Sequence, residues 1–305
     1  MGSNKIKTWT RAFRPHTLPL AFAALLLGNA AALAFGKFDF WIGALSVITA
    51  LLLQILSNLA NDYGDSLHGA DTEKRIGPER AVQSGAVSPK AMKRMVFIFI
   101  GITVLSGTGL LLMSVKNTGW GIFFIMFGVG LLAIWAAYSY TASKNPYGYR
   151  GLGDLFVFVF FGLVAVLGVF YLQTGTLNVK AIWPAAAIGF WSSGVLNLNN
   201  VRDLEGDKSA GKRTLPVLLG FNKARAYHLF LITSGAICFL VFVNFLTLKP
   251  WQWVFALPIL GALFHLKHFY QAEDTMAFYP LLKQLSILSL LVVASLALLV
   301  VLNNL

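Results

Sequence analysis

Two oxygen-rich clusters close long apolar stretches of the chain: Asn58, Asp62, Asp65 and Asp71 in NLANDYGDSLHGAD, and Asn199, Asp203 and Asp207 in NNVRDLEGD. The sequence of 305 residues contains only twelve Asp and Glu. A carboxylate at membrane depth is costly and marks function by default. Residues four apart share one face of a helix, so Asn58 with Asp62, and Asn199 with Asp203 and Asp207, can each address one ion. Asp65, three beyond Asp62, stays on that face. Oxygen donors without paired His or Cys favour Mg2+ over zinc or copper. Mg2+ takes one or two carboxylates and completes its shell with water and phosphate oxygens. Two such clusters suggest two ions bridged by a diphosphate.

The charges around the clusters agree in sign. Asp62, Asp65, Asp71, Asp203 and Asp207 are negative, two Mg2+ offset most of that, and a diphosphate monoester adds about three negative charges. Cations are therefore wanted nearby, and Lys74, Arg75, Lys212 and Arg213 follow the clusters, with Arg80 and Arg202 in reserve. Both loops repeat one pattern: an Asn and an Asp four apart, then Lys-Arg, then Pro78 or Pro216. The pattern suggests an internal pseudo-repeat, with the second and sixth apolar helices equivalent across a central cavity. Chance likeness of two short loops is the competing explanation. Lys90, Lys93, Arg94, Lys223 and Arg225 read as solvated loop charges. Topology signals of that kind need no carboxylates at helical spacing.

The elements that must position these residues are membrane helices. The chain is 57% hydrophobic and 12% charged, against about 25% charged in an ordinary globular domain. An all-α integral membrane protein follows, one domain over residues 1–305, with loops 61–93 and 200–225 capping the site. Apolar runs of about 20 residues, enough to span a bilayer, occur near 18–36, 40–60, 94–115, 119–140, 153–173, 180–199, 226–247, 251–268 and 284–302, which predicts nine helices around a central cavity. All Lys and Arg except Lys37, Lys116, Lys180 and Lys249 then fall on one side, the cytoplasmic side by the positive-inside rule. The N-terminus is expected inside and the C-terminus outside. The start MGSNKIKTWTRAFRP lacks a small-residue cleavage site and reads as a mature cytoplasmic segment. All acidic residues except Asp39 share the cytoplasmic face. The net charge of +12 suits the lipid bilayer and an anionic substrate rather than nucleic acid. Cys238 has no partner for a disulfide or thiolate site.

NDYGD, with Asp71 beyond it, and DLEGD resemble the two Asp-rich motifs, NDxxDxxxD and DxxxD, of the UbiA family of intramembrane aromatic prenyltransferases. The likeness covers nearly the whole chain. TWTRAFRPHTLP, the extended loop ADTEKRIGPERAVQSG, YGYRGLGD and NNVRDLEGDKSAGKRTLPVLLG look like the branch that prenylates 1,4-dihydroxy-2-naphthoate in menaquinone biosynthesis. Where the first motif expects a third Asp this chain has Gly69, with Asp71 two residues further.

The resemblance implies Mg-dependent transfer of a polyprenyl group from polyprenyl diphosphate to an aromatic acid acceptor, with decarboxylation, giving demethylmenaquinone in the inner membrane. Asp62, Asp65, Asp203 and Asp207 would hold the ions, with Asn58, Asn199 and Asp71 as further ligands. Asn58, Asn199, Lys74, Arg75, Arg80, Lys212 and Arg213 would grip the diphosphate. An allyl cation needs aromatic faces, and Tyr138, Tyr140, Tyr147 and Tyr149 flank the end of the fourth helix, where they serve equally as interfacial anchors. Asp154 in GLGD suits orienting the acceptor hydroxyl or taking its proton, and equally suits capping its helix or pairing with Arg150. Arg150 or Lys144 would receive the acceptor carboxylate. FVFVFFG at 156–162 fits lipid contact or an isoprenoid tunnel. The five His show no metal spacing.

Other UbiA acceptors, 4-hydroxybenzoate, homogentisate or a tetrapyrrole, remain open. A transporter also uses intramembrane carboxylates, but near the midplane at broken helices. These Asp fall at helix ends instead. The DGxxAR sequence of a CDP-alcohol phosphotransferase is missing.

Overall fold

The computed structural model describes residues 2–68, 80–272, 274 and 276–304, and the regular structure among them is entirely helical. Helix α1 (Gly2–Phe13) ends at Arg14, whose φ is 51°, before Pro15 and a short turn. Helices α2 (Leu18–Phe35) and α3 (Phe40–Leu67) follow. Asp39 starts α3 as its N-cap, accepting from the backbone N–H of Trp41 and Ile42, while its other oxygen pairs with Lys116. The acidic residue that sequence sets apart from the rest thus has a structural task. Helix α4 (Pro89–Ser139) leads through a 3-10 turn (Tyr147–Arg150) into α5 (Gly153–Thr174). The middle of α5, Phe158–Leu167, winds as π-helix. Then come α6 (Ile182–Arg202), two short pieces, α7 (Leu204–Ser209) and α8 (Leu215–Leu219), and α9 (Phe221–Asn244). A 3-10 segment (Pro250–Leu260), α10 (Gly261–Gln271) and α11 (Phe278–Asn304) complete the chain.

Six of the described helices are long and apolar enough to cross a membrane, fewer than the nine expected. The difference has physical causes. Helix α4, at 51 residues, is broken at Gly119, whose φ of 79° and ψ of 166° are not helical. Straight, 51 residues would run about 75 Å, far beyond a bilayer. Instead its middle lies at one face, where Lys116 meets Asp39 and Asn117 donates to the carbonyls of Leu172 and Gln173. Just past its far end, Thr141 donates to Ala60 at the other face. Helix α6 also runs between the faces but carries Ser192, Ser193, Asn197, Asn199 and Asn200, which lower its apolar content. The 250–271 segment is divided between 3-10 and α winding.

Helices α2, α5, α6, α9 and α11 enclose the larger core, with Trp191, Phe239 and Phe242 among its fully buried side chains. Gly64, inside NDYGD, brings α3 against the segment after α4: a Cβ there would lie 2.4 Å from Thr141 C and 2.5 Å from Ala142 N. That backbone has nowhere to retreat, because Thr141 also bonds Asn61 Oδ1. Gly206, inside DLEGD, has nothing within 4 Å of such a Cβ. Gly64→Val should therefore lower unfolding stability in detergent by about 1–3 kcal/mol, whereas Gly206→Ala, in the open helix Leu204–Ser209, should not lower it and should raise it by up to about 1 kcal/mol.

Candidate active site

The end of α3 carries the first cluster into the protein rather than into water. Asp62 and Asp65 are 1% and 2% exposed. Each has its own counterpart. Asp62 accepts from the backbone N–H groups of Ala81 (3.1 Å) and Val82 (3.3 Å), and so anchors the turn that precedes α4. Asp65 pairs with Arg80 through one oxygen, and through the other accepts from the Tyr149 hydroxyl at 2.5 Å and meets Lys212 Nζ at 3.4 Å. Arg80 also donates to the Asn61 carbonyl. Asn58 uses its amide N–H to clip Phe13 O (2.9 Å) and Thr17 Oγ1 (2.8 Å), fastening the α1–α2 junction onto α3.

The second cluster forms where α6 gives way to α7. Asp203 is gripped by its neighbour Arg202 through two bonds, from Nε at 2.8 Å and from Nη2 at 2.5 Å, and the same Nη2 reaches Asn199 Oδ1 at 2.9 Å. Asp207 lies 3.6 Å from Lys212 Nζ, and its carbonyl accepts from the Lys212 backbone. Lys212 therefore stands between Asp65 of the first cluster and Asp207 of the second. Its ammonium also lies 4.7 Å from the centre of the Tyr149 ring. A lysine from one half of the chain thus joins carboxylates of both halves at one face.

Other expected residues sit around this bridge. Arg213 donates its backbone N–H to Tyr149 O, and its side chain is exposed, as is that of Arg150. Tyr147 donates to Ala136 O, stacks on Phe156 at 4.1 Å and meets Tyr140 edge-on at 5.4 Å. Tyr138 is half-buried against the cluster around Leu56 and Leu59. Asp154 is 5% exposed, and its Oδ1 is buried without a hydrogen-bond partner. Tyr140 and Tyr227 are its phenolic neighbours. Asp71, Lys74 and Arg75 lie outside the described residues.

Sequence reasoning missed Tyr149 as a direct partner of a carboxylate and placed Arg202 only in reserve. The adjacency of Arg202 to Asp203 was the available signal. It also missed a hydrogen-bonded chain from Asn197 through the buried His228 and His265 to Gln284 and His268, with His228 and His265 3.0 Å apart. Only the three-residue step from His265 to His268 is visible in the sequence, and it gives no sign of Asn197, His228 or Gln284, which come from other helices.

Among the described residues, no three His, Cys, Asp or Glu side chains are already grouped around an ion-sized point. The donor set nevertheless fits a hard dication in kind. Every candidate donor is oxygen, and Asp65, Asp203 and Asp207 are held by Arg80, Arg202 and Lys212, which shows their demand for positive charge. Asp207 displays the same demand electrostatically. Burial pushes its pKa up to about 6, with Asp203 and Asp65 adding to the rise and Lys212 opposing it.

Residues 20–279 match the UbiA prenyltransferase family. The chain is 42% identical over 296 residues to 1,4-dihydroxy-2-naphthoate octaprenyltransferase of Haemophilus influenzae, covering 96% of this chain and 95% of that protein. It is 41% identical to the Escherichia coli protein of the same name, covering 92% and 91%. Among solved structures, a UbiA homolog from Archaeoglobus fulgidus bound to GPP and Mg2+ superposes with a TM-score of 0.65 at 16% identity, covering 96% of this chain and 99% of that one. At that identity the likeness is one of fold.

The raised Asp207 pKa fixes a pH dependence. A carboxyl that ionises less readily when folded costs nothing below its unfolded pKa and destabilises progressively as pH rises from about 4 to about 6. With a chelator present, Asp207→Asn should therefore gain stability over wild type across that window, on the order of 1–3 kcal/mol. Denaturant unfolding at pH 4 and pH 7 measures the change, and a constant difference would contradict it.

Proposed function

The chain belongs to the UbiA prenyltransferase family, and from that premise we propose that it transfers a polyprenyl group from a polyprenyl diphosphate to 1,4-dihydroxy-2-naphthoate, with loss of carbon dioxide, in menaquinone biosynthesis. The observation that carries this reading is the bridge Asp65–Lys212–Asp207. It draws two oxygen clusters from distant parts of the sequence together at helix ends, as recognition of one diphosphate with its cations requires. The acceptor assignment is supported by relatives that share the greater part of both chains.

Asp62, Asp65, Asp203 and Asp207, with Asn58, Asn199 and Asp71, form the donor set for Mg2+, two ions in this proposal. Bound there, Mg2+ supplies positive charge against which the diphosphate departs. The protein's own cations do the remaining electrostatic work. Lys212, Arg80 and Arg213, with Lys74 and Arg75, receive the diphosphate oxygens and hold them as the allylic C–O bond breaks. Lys212 is already placed between both clusters, so it tracks the leaving group without a large excursion.

The aromatic group of Tyr147, Tyr140 and Phe156 presents ring faces that tolerate the allylic cation. Tyr138, packed against the cluster around Leu56 and Leu59 near the end of α4, contributes a further ring to the substrate region. The ring carbon that bears the acceptor carboxylate forms the new C–C bond, and its bond to the carboxyl carbon breaks, releasing carbon dioxide with the aromatic electrons restored. Asp154, with an unpartnered buried oxygen, accepts the acceptor hydroxyl and fixes its orientation. Arg150 serves the acceptor carboxylate before it leaves.

The protein lies in the cytoplasmic membrane, crossing it nine times, with the carboxylate face and the N-terminus inside. Loops 61–93 and 200–225 cap the site in one domain.

Purified protein supplied with Mg2+, a polyprenyl diphosphate and 1,4-dihydroxy-2-naphthoate should release diphosphate and yield the decarboxylated, prenylated product by mass spectrometry. Product from 4-hydroxybenzoate alone would move the chain to another branch. Asp62→Ala and Asp203→Ala should each reduce turnover at least about 100-fold, with circular dichroism unchanged. Full activity in either variant would remove that residue from the site.

A further inference from the structure

Arg202 is the most deeply buried cation of the site among the described residues, at 3% exposure. Its guanidinium forks onto both oxygens of Asp203, reaches Asn199 Oδ1, and lies 5.8 Å from the centre of the Tyr279 ring. One group thus occupies the Asn–Asp pair whose four-residue spacing suits a single ion. The first cluster is held differently. There Asp62 is satisfied by backbone N–H groups, and Asn58 turns its amide N–H toward the α1–α2 junction.

We infer that Arg202 is a resident counter-cation of the second cluster, which must leave Asn199 and Asp203 for a divalent ion to enter and then turns to the diphosphate, so that ion and diphosphate bind cooperatively. The inference rests on the proposed role of Asn199 and Asp203 as ion ligands. Its physical basis is the cost of a buried charge left alone. A guanidinium displaced into a low-dielectric interior without an anion is strongly unfavourable, so the ion by itself meets resistance. A diphosphate supplies the missing anion and matches the planar fork in two-bond geometry. The resistance then disappears, and linkage requires each ligand to strengthen the other equally. Asp203 does not become uncompensated in the exchange, because the arriving dication replaces the guanidinium.

The experiment measures Mn2+ binding to the full-length protein in detergent by electron paramagnetic resonance, with and without inorganic diphosphate, correcting for the Mn2+–diphosphate complex in solution. In wild type, diphosphate should tighten Mn2+ binding. Arg202→Gln should bind Mn2+ about tenfold more tightly without diphosphate, and its gain from diphosphate should shrink by a similar factor. Arg202→Lys keeps the charge but loses the fork, and should fall between the two. It carries the test if the Gln variant does not fold. Unchanged or weaker Mn2+ binding in the folded Arg202 variants, or an undiminished gain from diphosphate, would overturn the inference. Asp203→Asn separates the underlying site from the gate. It should weaken Mn2+ binding, and if it does not, the ligand assignment itself fails.

Discussion

A carboxylate that ends an apolar helix must find positive charge or hydrogen-bond donors, and the architecture of this protein follows from that demand. Asp65, Asp203 and Asp207 are satisfied by Arg80, Arg202, Lys212 and Tyr149, while Asp62 is satisfied by the backbone of the turn at Ala81 and Val82. Removing one partner of a buried ion pair costs about 3–5 kcal/mol, so these pairings constrain where the helix ends lie. Lys212 is the shared element. It ties Asp65, on α3, to Asp207, on α7, and the elements that carry them must therefore close over the same face.

The surrounding fold supplies the closure. Gly64 lets the segment after α4 pass across α3, and Thr141 fastens it there to Ala60 and Asn61. The turn at Tyr147–Arg150 then presents Tyr149 to Asp65 through its hydroxyl and to Arg213 through its carbonyl. The opposite face is organised around Asp39, Lys116, Asn117 and Gln173, a hydrogen-bonded set that joins the start of α3, the middle of α4 and the end of α5. Among the described residues, one face is tied by side-chain amides and the Asp39–Lys116 pair, whereas the other concentrates the charge on which the chemistry depends. At that charged face the carboxylates that hold cations, Asp65, Asp203 and Asp207, are among those proposed to bind magnesium. Structural neutralisation and ligand binding therefore compete for the same oxygens.

Much of this was legible in the residues. The Asn-to-Asp spacing, the Lys-Arg pairs and the alternation of charge between loops are local patterns, and they led to helix ends, a shared face and a diphosphate chemistry. The count of spans was less legible. The apolar runs 94–115 and 119–140 separate where α4 breaks at Gly119, but Ser and Asn residues on α6 serve the interior instead of the lipid, so that helix lacks the apolar content of a span. The roles of Tyr149 and Lys212 at Asp65 were hidden for another reason. Which cation meets which carboxylate depends on tertiary approach, and Lys212 reaches a residue 147 positions away. Asn58 illustrates the same limit from the other side: its register matches Asn199, yet it fastens α1 and α2 to α3 while Asn199 meets Arg202.

The central claim is that both clusters close around one diphosphate through magnesium-type ions. Anomalous diffraction from crystals grown with Mn2+ and a non-reactive polyprenyl thiodiphosphate tests it most directly. Metal peaks are expected within bonding distance of carboxylates from both clusters, with diphosphate oxygens between them and Lys212 alongside. Metal confined to one cluster, or a diphosphate bound away from Lys212, would contradict it.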